Sequence, residues 1–179
     1  MLILIVGMPS SGKTTAAKLL GEMGFSVAST GDVIREEIKR RGLPYTKENE
    51  RKVADWFHEC GREKIVIDRL LKRVSGDKIV IEGLRDPKQV KELERRIGEK
   101  PVIIAMVSDF ETRLKREIEK KRFPNITRED LEKRDAAELR LGEGELIRRA
   151  DFTIDNTNLT KEELKRELEK ILKRLEIKI

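Results

Sequence analysis

Apolar residues gather in five short runs along an otherwise charged chain: Leu2 to Val6, Ser26 to Ala28, Ile79 to Ile81, Val102 to Val107 and Phe152 to Ile154. The runs are nearly continuous rather than alternating, which is the pattern of strands buried on both faces. Helical patterns separate them. Strand and helix in turn predict a doubly wound α/β domain around a five-stranded parallel sheet.

Punctuation supports the same division. The first helix, through Thr15-Ala16-Ala17-Lys18-Leu19-Leu20, is predicted to stop near Gly24. Residues 38 to 75 form the longest stretch between strands, interrupted at Gly42-Leu43-Pro44 and restarted at Thr46. Within it Val53, Trp56, Phe57 and Cys60 keep helical spacing and predict burial against the domain, with stacking of Trp56 or Phe57 on a base as the other reading. His58, the only histidine, reads as a surface or capping residue. Asp86-Pro87 opens a helix that Gly98 closes. Ser108-Asp109-Phe110-Glu111 reads as a capping box, and Thr160 with Glu163 as another. Leu164, Leu168, Ile171, Leu172 and Leu175 then mark the buried stripe of a last helix.

At 179 residues, without repeats or a linker, the expectation is one domain over 1–179. No apolar run reaches the roughly 18 residues that cross a bilayer, and Met1 to Val6 lacks a basic leader, so a soluble, cytoplasmic protein is expected. A lone Cys60 excludes an internal disulfide and a zinc site of thiolates. Charged residues make up 41% of the chain, with 40 Lys and Arg against 34 Asp and Glu. Both signs mix along the helices, so most of this charge predicts a solvated, ion-paired surface, a bias of proteins that work hot. The net +6 suits an anionic ligand, nucleotide or nucleic acid.

Chemistry concentrates between the first run and the first helix. Gly7-Met8-Pro9-Ser10-Ser11-Gly12-Lys13-Thr14 has the G-x-x-x-x-G-K-[ST] form in the strand-loop-helix setting that such a loop requires. Gly7 and Gly12 permit backbone angles that let successive N–H groups converge on phosphate, and the helix that follows adds its positive end. Lys13 would supply a point charge to the β- and γ-phosphates, and the Thr14 hydroxyl a ligand for Mg2+. The ATP-binding set is therefore Gly7, Pro9, Ser10, Ser11, Gly12, Lys13, Thr14 and Thr15.

Other candidates follow strand ends, where ligands of open parallel sheets bind. In Thr30-Gly31-Asp32-Val33-Ile34-Arg35 the carboxylate and guanidinium share one helical face; either both address a ligand, or Asp32 caps the helix and Arg35 pairs with a nearby Glu. Glu82 ends the third run where an acid can hold a water of the Mg2+ shell, and Arg85 follows on the ligand side. Residues 113–141 carry Arg113, Lys115, Arg116, Lys120, Lys121, Arg122, Lys133, Arg134 and Arg140 around a break at Phe123-Pro124-Asn125. This reads either as a lid that brings arginines onto phosphates or as a solvated basic hairpin.

These segments resemble the nucleoside monophosphate kinase group of P-loop phosphotransferases, adenylate kinase and dephospho-CoA kinase in particular, over nearly the whole chain. Ser29-Thr30-Gly31-Asp32-Val33-Ile34-Arg35 is similar to the S-T-G-D-x-x-R segment of adenylate kinases, which implies that Arg35 holds an acceptor phosphate. Ile81-Glu82-Gly83-Leu84-Arg85 resembles their D-G-[FY]-P-R segment, with Arg85 as second acceptor arginine, Glu82 in place of aspartate and the proline displaced. Arg116 and Arg122 fall where the group carries lid arginines. Ala150 to Asn156 looks like the A-D-[YF]-x-[IV]-x-N close of dephospho-CoA kinases, implying that Asn156 lies by the adenine. An archaeal group of adenylate-kinase-related proteins matches best, through G-M-P-x-S-G-K, G-D-V-x-R-E-E, R-D-x-x-E-L (Arg134 to Leu139) and A-D-x-x-I-x-N.

The resemblance implies an ATP- and Mg2+-dependent phosphotransferase acting on a nucleotide-like small molecule, with a helical acceptor-binding insertion at about 31–75 and a lid at about 113–141. Lys13, Asp32, Arg35, Arg85, Arg116 and Arg122 are the candidate catalytic residues, and Thr14 and Glu82 the metal ligands. The acceptor is either a nucleoside monophosphate or a hydroxyl-bearing dephospho-CoA type, for which Asp32 would accept the proton. A nucleotide switch in ribosome or ribonucleoprotein assembly, with nucleic acid as partner, is the competing reading.

Overall fold

A computed structural model describes residues 1–59 and 61–177. Five strands, β1 (Leu2–Val6), β2 (Ser26–Ser29), β3 (Ile79–Glu82), β4 (Val102–Val107) and β5 (Phe152–Asp155), form one sheet in the order β2-β3-β1-β4-β5. Every pairing is parallel. The helices are α1 (Lys13–Glu22), α2 (Thr30–Arg40), α3 (Lys47–His58), α4 (Glu63–Leu71), α5 (Pro87–Ile97), α6 (Phe110–Glu119), α7 (Arg128–Leu141), α8 (Glu143–Arg148) and α9 (Lys161–Arg174).

β1 shows why its sequence is apolar without alternation. Leu2, Leu4 and Val6 enter a core with Val33, Ile67 and Leu93, while Ile3 and Ile5 enter a second core with Leu19, Leu20 and Leu168. Both faces are covered, so neither set of side chains can be polar. Burying each large aliphatic contributes about 1.5–3 kcal/mol, which makes this strand the centre of the fold.

Capping follows the sequence at most ends. Asp86 caps α5 by accepting from Lys88 N, with Pro87 in the first turn and Gly98 in the left-handed conformation at the end. Thr46, Thr127 and Thr160 cap α3, α7 and α9. At α6 the sequence reading needs correction: Asp109, not Ser108, is the cap, and it accepts from Thr112 N. Aspartate one residue later offers two oxygens to the same turn, so it outcompetes the serine. The short helix α8 has no counterpart in the expected elements.

The long region between β2 and β3 is three helices, α2 to α4. Glu37, fully buried on α2, accepts from Arg40, Arg41 and Arg69 at 2.6–2.8 Å, so α2 and α4 share one ionic centre. Val53 and Phe57 bury as expected, while Trp56 is half-buried with the guanidinium groups of Arg41 and Arg62 at 4.4 and 4.3 Å from its ring centre. The expectation for Cys60 lies outside the described residues. No helix among the described residues is long and apolar enough to cross a membrane.

Candidate functional site

The loop between β1 and α1 is fixed by close backbone approaches. Gly7 has φ +141°, and a Cβ there would lie 2.2 Å from the Met106 carbonyl oxygen. Gly12 has φ +108°, and its Cβ would lie 2.2 Å from Asn156 Nδ2. That amide donates to Ser11 O at 2.8 Å, so a residue beyond β5 holds the turn from behind. Ser10 adopts φ +62°, an angle that side chains take at a cost. The amides of the first turn of α1 have no side-chain cap, and buried Ser11 Oγ has no hydrogen-bond partner. A helix start and loop of this shape fit a phosphate group.

Lys13 donates to the carbonyls of Gly7 and, at 3.0 Å, Met8. Burial lowers its pKa, opposed by the charge of Glu143. Register brings Ser29 and Glu82 side by side, and Glu82 Oε1 accepts from Ser29 Oγ at 2.6 Å and Thr14 Oγ1 at 3.2 Å. Thr14 and Glu82 thus meet and could share an Mg2+ shell. Among the described residues no three His, Cys, Asp or Glu cluster as a ready metal site, so phosphate and water oxygens would have to complete that shell.

The basic hairpin grips the tip of the loop. Arg113 is buried, donates to both oxygens of Asp135 at 2.9 and 2.7 Å, and reaches Pro9 O at 3.2 Å. Glu117 accepts from Ser10 Oγ and from Arg134 at 3.1 Å, and Lys120 donates to Ser10 Oγ at 2.8 Å. The other hairpin arginines diverge. Arg116 donates to Asn156 O at 2.6 Å and Ser108 Oγ at 3.3 Å, on the side where the chain closes behind the loop. Arg122 donates to Glu50 and to Tyr45 Oη, in and before α3. Asp130 on α7 pairs with Lys47 on α3, so the hairpin touches both the loop and the helical insertion.

A small cavity of about 10 Å³, room for one water, lies among α2, α3, α4, α5 and the turn after β3. Val33, Ile34, Phe57, His58, Arg85 and Gln89 line it. Gly83 (φ +89°) shapes the turn: a Cβ would stand 2.4 Å from Thr30 Oγ1, which donates to Gly83 O at 2.8 Å. Arg85 Nε lies 2.6 Å from Glu138 Oε2 but off the hydrogen-bond angle, so neither buried atom has a directed partner. Arg85 is therefore in the cavity wall and within the charge field of Lys13. His58 is not a surface residue: it is half-buried, its Nδ1 is 3.5 Å from Gln89 Nε2, and burial followed by Arg85 lowers its pKa.

Arg35 stands elsewhere. It pairs with Asp32 at 2.6 Å, the two side chains are 46% and 49% exposed, and Arg35 is not among the residues that line the cavity. Ser29, not Asp32, caps α2. The partner expected for Arg35, a nearby Glu, is Asp32 itself.

Glu138 and Glu143 are central; the first stood out in the sequence only as part of the Arg134 to Leu139 segment, and the second was not singled out. Glu143 is 1% exposed, accepts from Gly7 N, and has its pKa raised to about 7 by burial, against the pull of Lys13. Gly142-Glu143-Gly144 at the start of α8 was the one available signal, since a Gly pair around an acid marks a turn that aims it.

Sheet order and loop geometry define a P-loop protein of the kinase type. A family model described as an AAA domain matches residues 6–140. The chain is 35% identical to a UPF0200 protein of Methanosarcina barkeri over 96% of its length and 94% of that protein's. It is 37% identical to a UPF0200 protein of Pyrococcus horikoshii, covering 98% of the chain and 97% of the relative. The chain belongs to this UPF0200 family. Shikimate kinase from Acinetobacter baumannii, solved in complex with shikimate, shares the fold with a TM-score of 0.67 at 20% identity, over 99% of this chain and 95% of that one.

Proposed function

We propose that this protein transfers the γ-phosphoryl group of ATP to a nucleotide-like small molecule that enters beside Arg85, where α2 and α3 have to part to admit it because the cavity there measures only about 10 Å³. The observation that carries the reading is Arg85, which lines the cavity and shares a charge field with Lys13 of the phosphate loop. A guanidinium so placed can serve an anionic acceptor that faces a triphosphate.

The backbone amides of residues 8–14 and Lys13 would grip the triphosphate, with Thr14 and Glu82 holding Mg2+. The metal would neutralise charge that gathers on the β- and γ-oxygens. As the acceptor oxygen bonds to the γ-phosphorus, the bond to the β–γ bridging oxygen breaks and ADP leaves. The protein's part is positioning and charge: Lys13 on the leaving side, Arg85 on the acceptor, Arg35 from the exposed side, and the hairpin with Arg116, Arg122 and Arg134 excluding water. Asn156, behind the loop beside Arg116, bounds the end of the site where adenine would lie.

ATP consumption with a panel of mononucleotides, hydroxyl-bearing acceptors and RNA tests this. Strong stimulation by one small acceptor supports the reading. Stimulation by RNA alone overturns it in favour of the assembly switch. Asp32→Asn sorts the acceptor: a hydroxyl loses ~10²–10⁴ in rate without its base, whereas a phosphate, ionised at neutral pH, loses little.

A further inference from the structure

The junction of α7 and α8 sets a buried acid against the phosphate loop. Gly142 turns there at φ +117°, and a Cβ would meet Pro87 Cδ at 2.5 Å, so the chain enters the interior on one path. Glu143 follows at once. Its Oε1 accepts from Gly7 N, while its Oε2 is buried without a hydrogen-bond partner. The charged groups around it come from three directions: Lys13 on α1, Glu138 on α7 and Arg85 after β3. Lys13 is the strongest of these and Glu143 is the strongest charge acting on Lys13 in return. None of the roles given to the donor or acceptor residues uses this carboxyl.

We infer that Glu143 is a positioning residue of the phosphate loop, fixing the Gly7 peptide and setting, through its own proton, how much of the Lys13 charge a polyphosphate can use. The inference rests on the triphosphate reading of the loop. Ionised, Glu143 neutralises Lys13 and repels an incoming anion; neutral, it frees the ammonium and leaves an O–H on its unpartnered side. Burial places the change near pH 7. Affinity for a triphosphate therefore rises as pH falls through that value, and the amide of Glu143→Gln holds the Gly7 contact without the charge.

The test is binding of a non-hydrolysable ATP analogue with Mg2+ between pH 6 and 8.5, in the wild type, Glu143→Gln and Glu138→Gln. Comparing proteins at each pH cancels the ligand's own protonation. The expected result is equal affinity of wild type and Glu143→Gln at pH 6, and a roughly tenfold advantage of the variant by pH 8, the change that about one pH unit of linked titration gives. Parallel curves, or a slope removed by Glu138→Gln alone, overturn the inference while leaving the triphosphate site intact. Absence of binding by any of the three at every pH overturns the triphosphate reading itself and the inference with it. Should Glu143→Gln not fold, carboxyl NMR of the wild type decides: inorganic tripolyphosphate should move the Glu143 titration to higher pH, and an unmoved or lowered titration sinks the idea.

Discussion

Lys13 and Arg85 are two cations of the candidate site, and they are held in different ways. Lys13 is tied to carbonyls of its own loop, Gly7 and Met8, a few residues away. Arg85 depends on Glu138, which α7 delivers from 53 positions further along. Lys13 is thus held by main chain within one short segment, and Arg85 by a side chain that a distant helix supplies. A seat made of backbone would accept any polyphosphate, whereas a seat made of side chains would select its occupant and change with them.

The contrast can be broken at several points. The largest effect is expected at Lys13→Ala: turnover should fall by ~10³ or more, as for other charge partners of a transferred phosphoryl group, with the thermal unfolding midpoint nearly unchanged. Wild-type turnover in that variant would remove the donor side of the comparison. Next comes the acceptor side. Arg85→Ala should raise the acceptor KM by ~10²-fold, because it removes the guanidinium facing the acceptor, Glu138 keeping only the 3.9 Å pair with Arg134, while Arg35→Ala, at an exposed pair, should raise it by under ~10-fold. Equal effects would show that the exposed and the buried arginine contribute alike.

Stability against pH sharpens the same picture. Burial raises the Glu143 pKa from its ordinary 4.5 to about 7, so the folded state binds this proton more tightly than the unfolded chain. Its contribution is complete below about 4.5 and is lost as pH rises through 7, amounting to about 3 kcal/mol. Denaturant melts at pH 5 and 8 should show this loss in the wild type and not in Glu143→Gln. The smallest expected effect is the coupling between Gly12 and Asn156. Gly12→Ala should cost ~1–3 kcal/mol, and part of that, ~1 kcal/mol, should disappear in an Asn156→Ala background, where the obstructing amide is gone. Additive losses would mean that the backbone angle at Gly12, not the contact, sets the cost.

The same division governs what the sequence revealed. Strands buried on both faces, the loop with its two glycines, the helix restart at Thr46 and the Asp86 and Thr160 caps all depend on neighbours within a few residues, and each was visible. Asp109 in place of Ser108 was an error of one position inside a correct helix. What escaped was tertiary. His58 looked like a surface residue because nothing near it in sequence announces that α3 turns it toward Arg85. Glu143 looked like one acid among 34 Asp and Glu. Arg113, read as part of a solvated or lid charge run, is buried in a two-point pair with Asp135 across the hairpin. Charge density hid these residues, since in a chain so rich in both signs composition does not separate a buried ion pair from a surface one.

The amide of Asn156 reaches Ser11 across 145 positions of chain. During synthesis the loop emerges well before its brace, which takes its place only once β5 has docked beside β4. A growing polypeptide therefore exposes the glycine-lysine segment before that segment acquires its final shape, and the loop's form reports on the docking of a strand far along the chain.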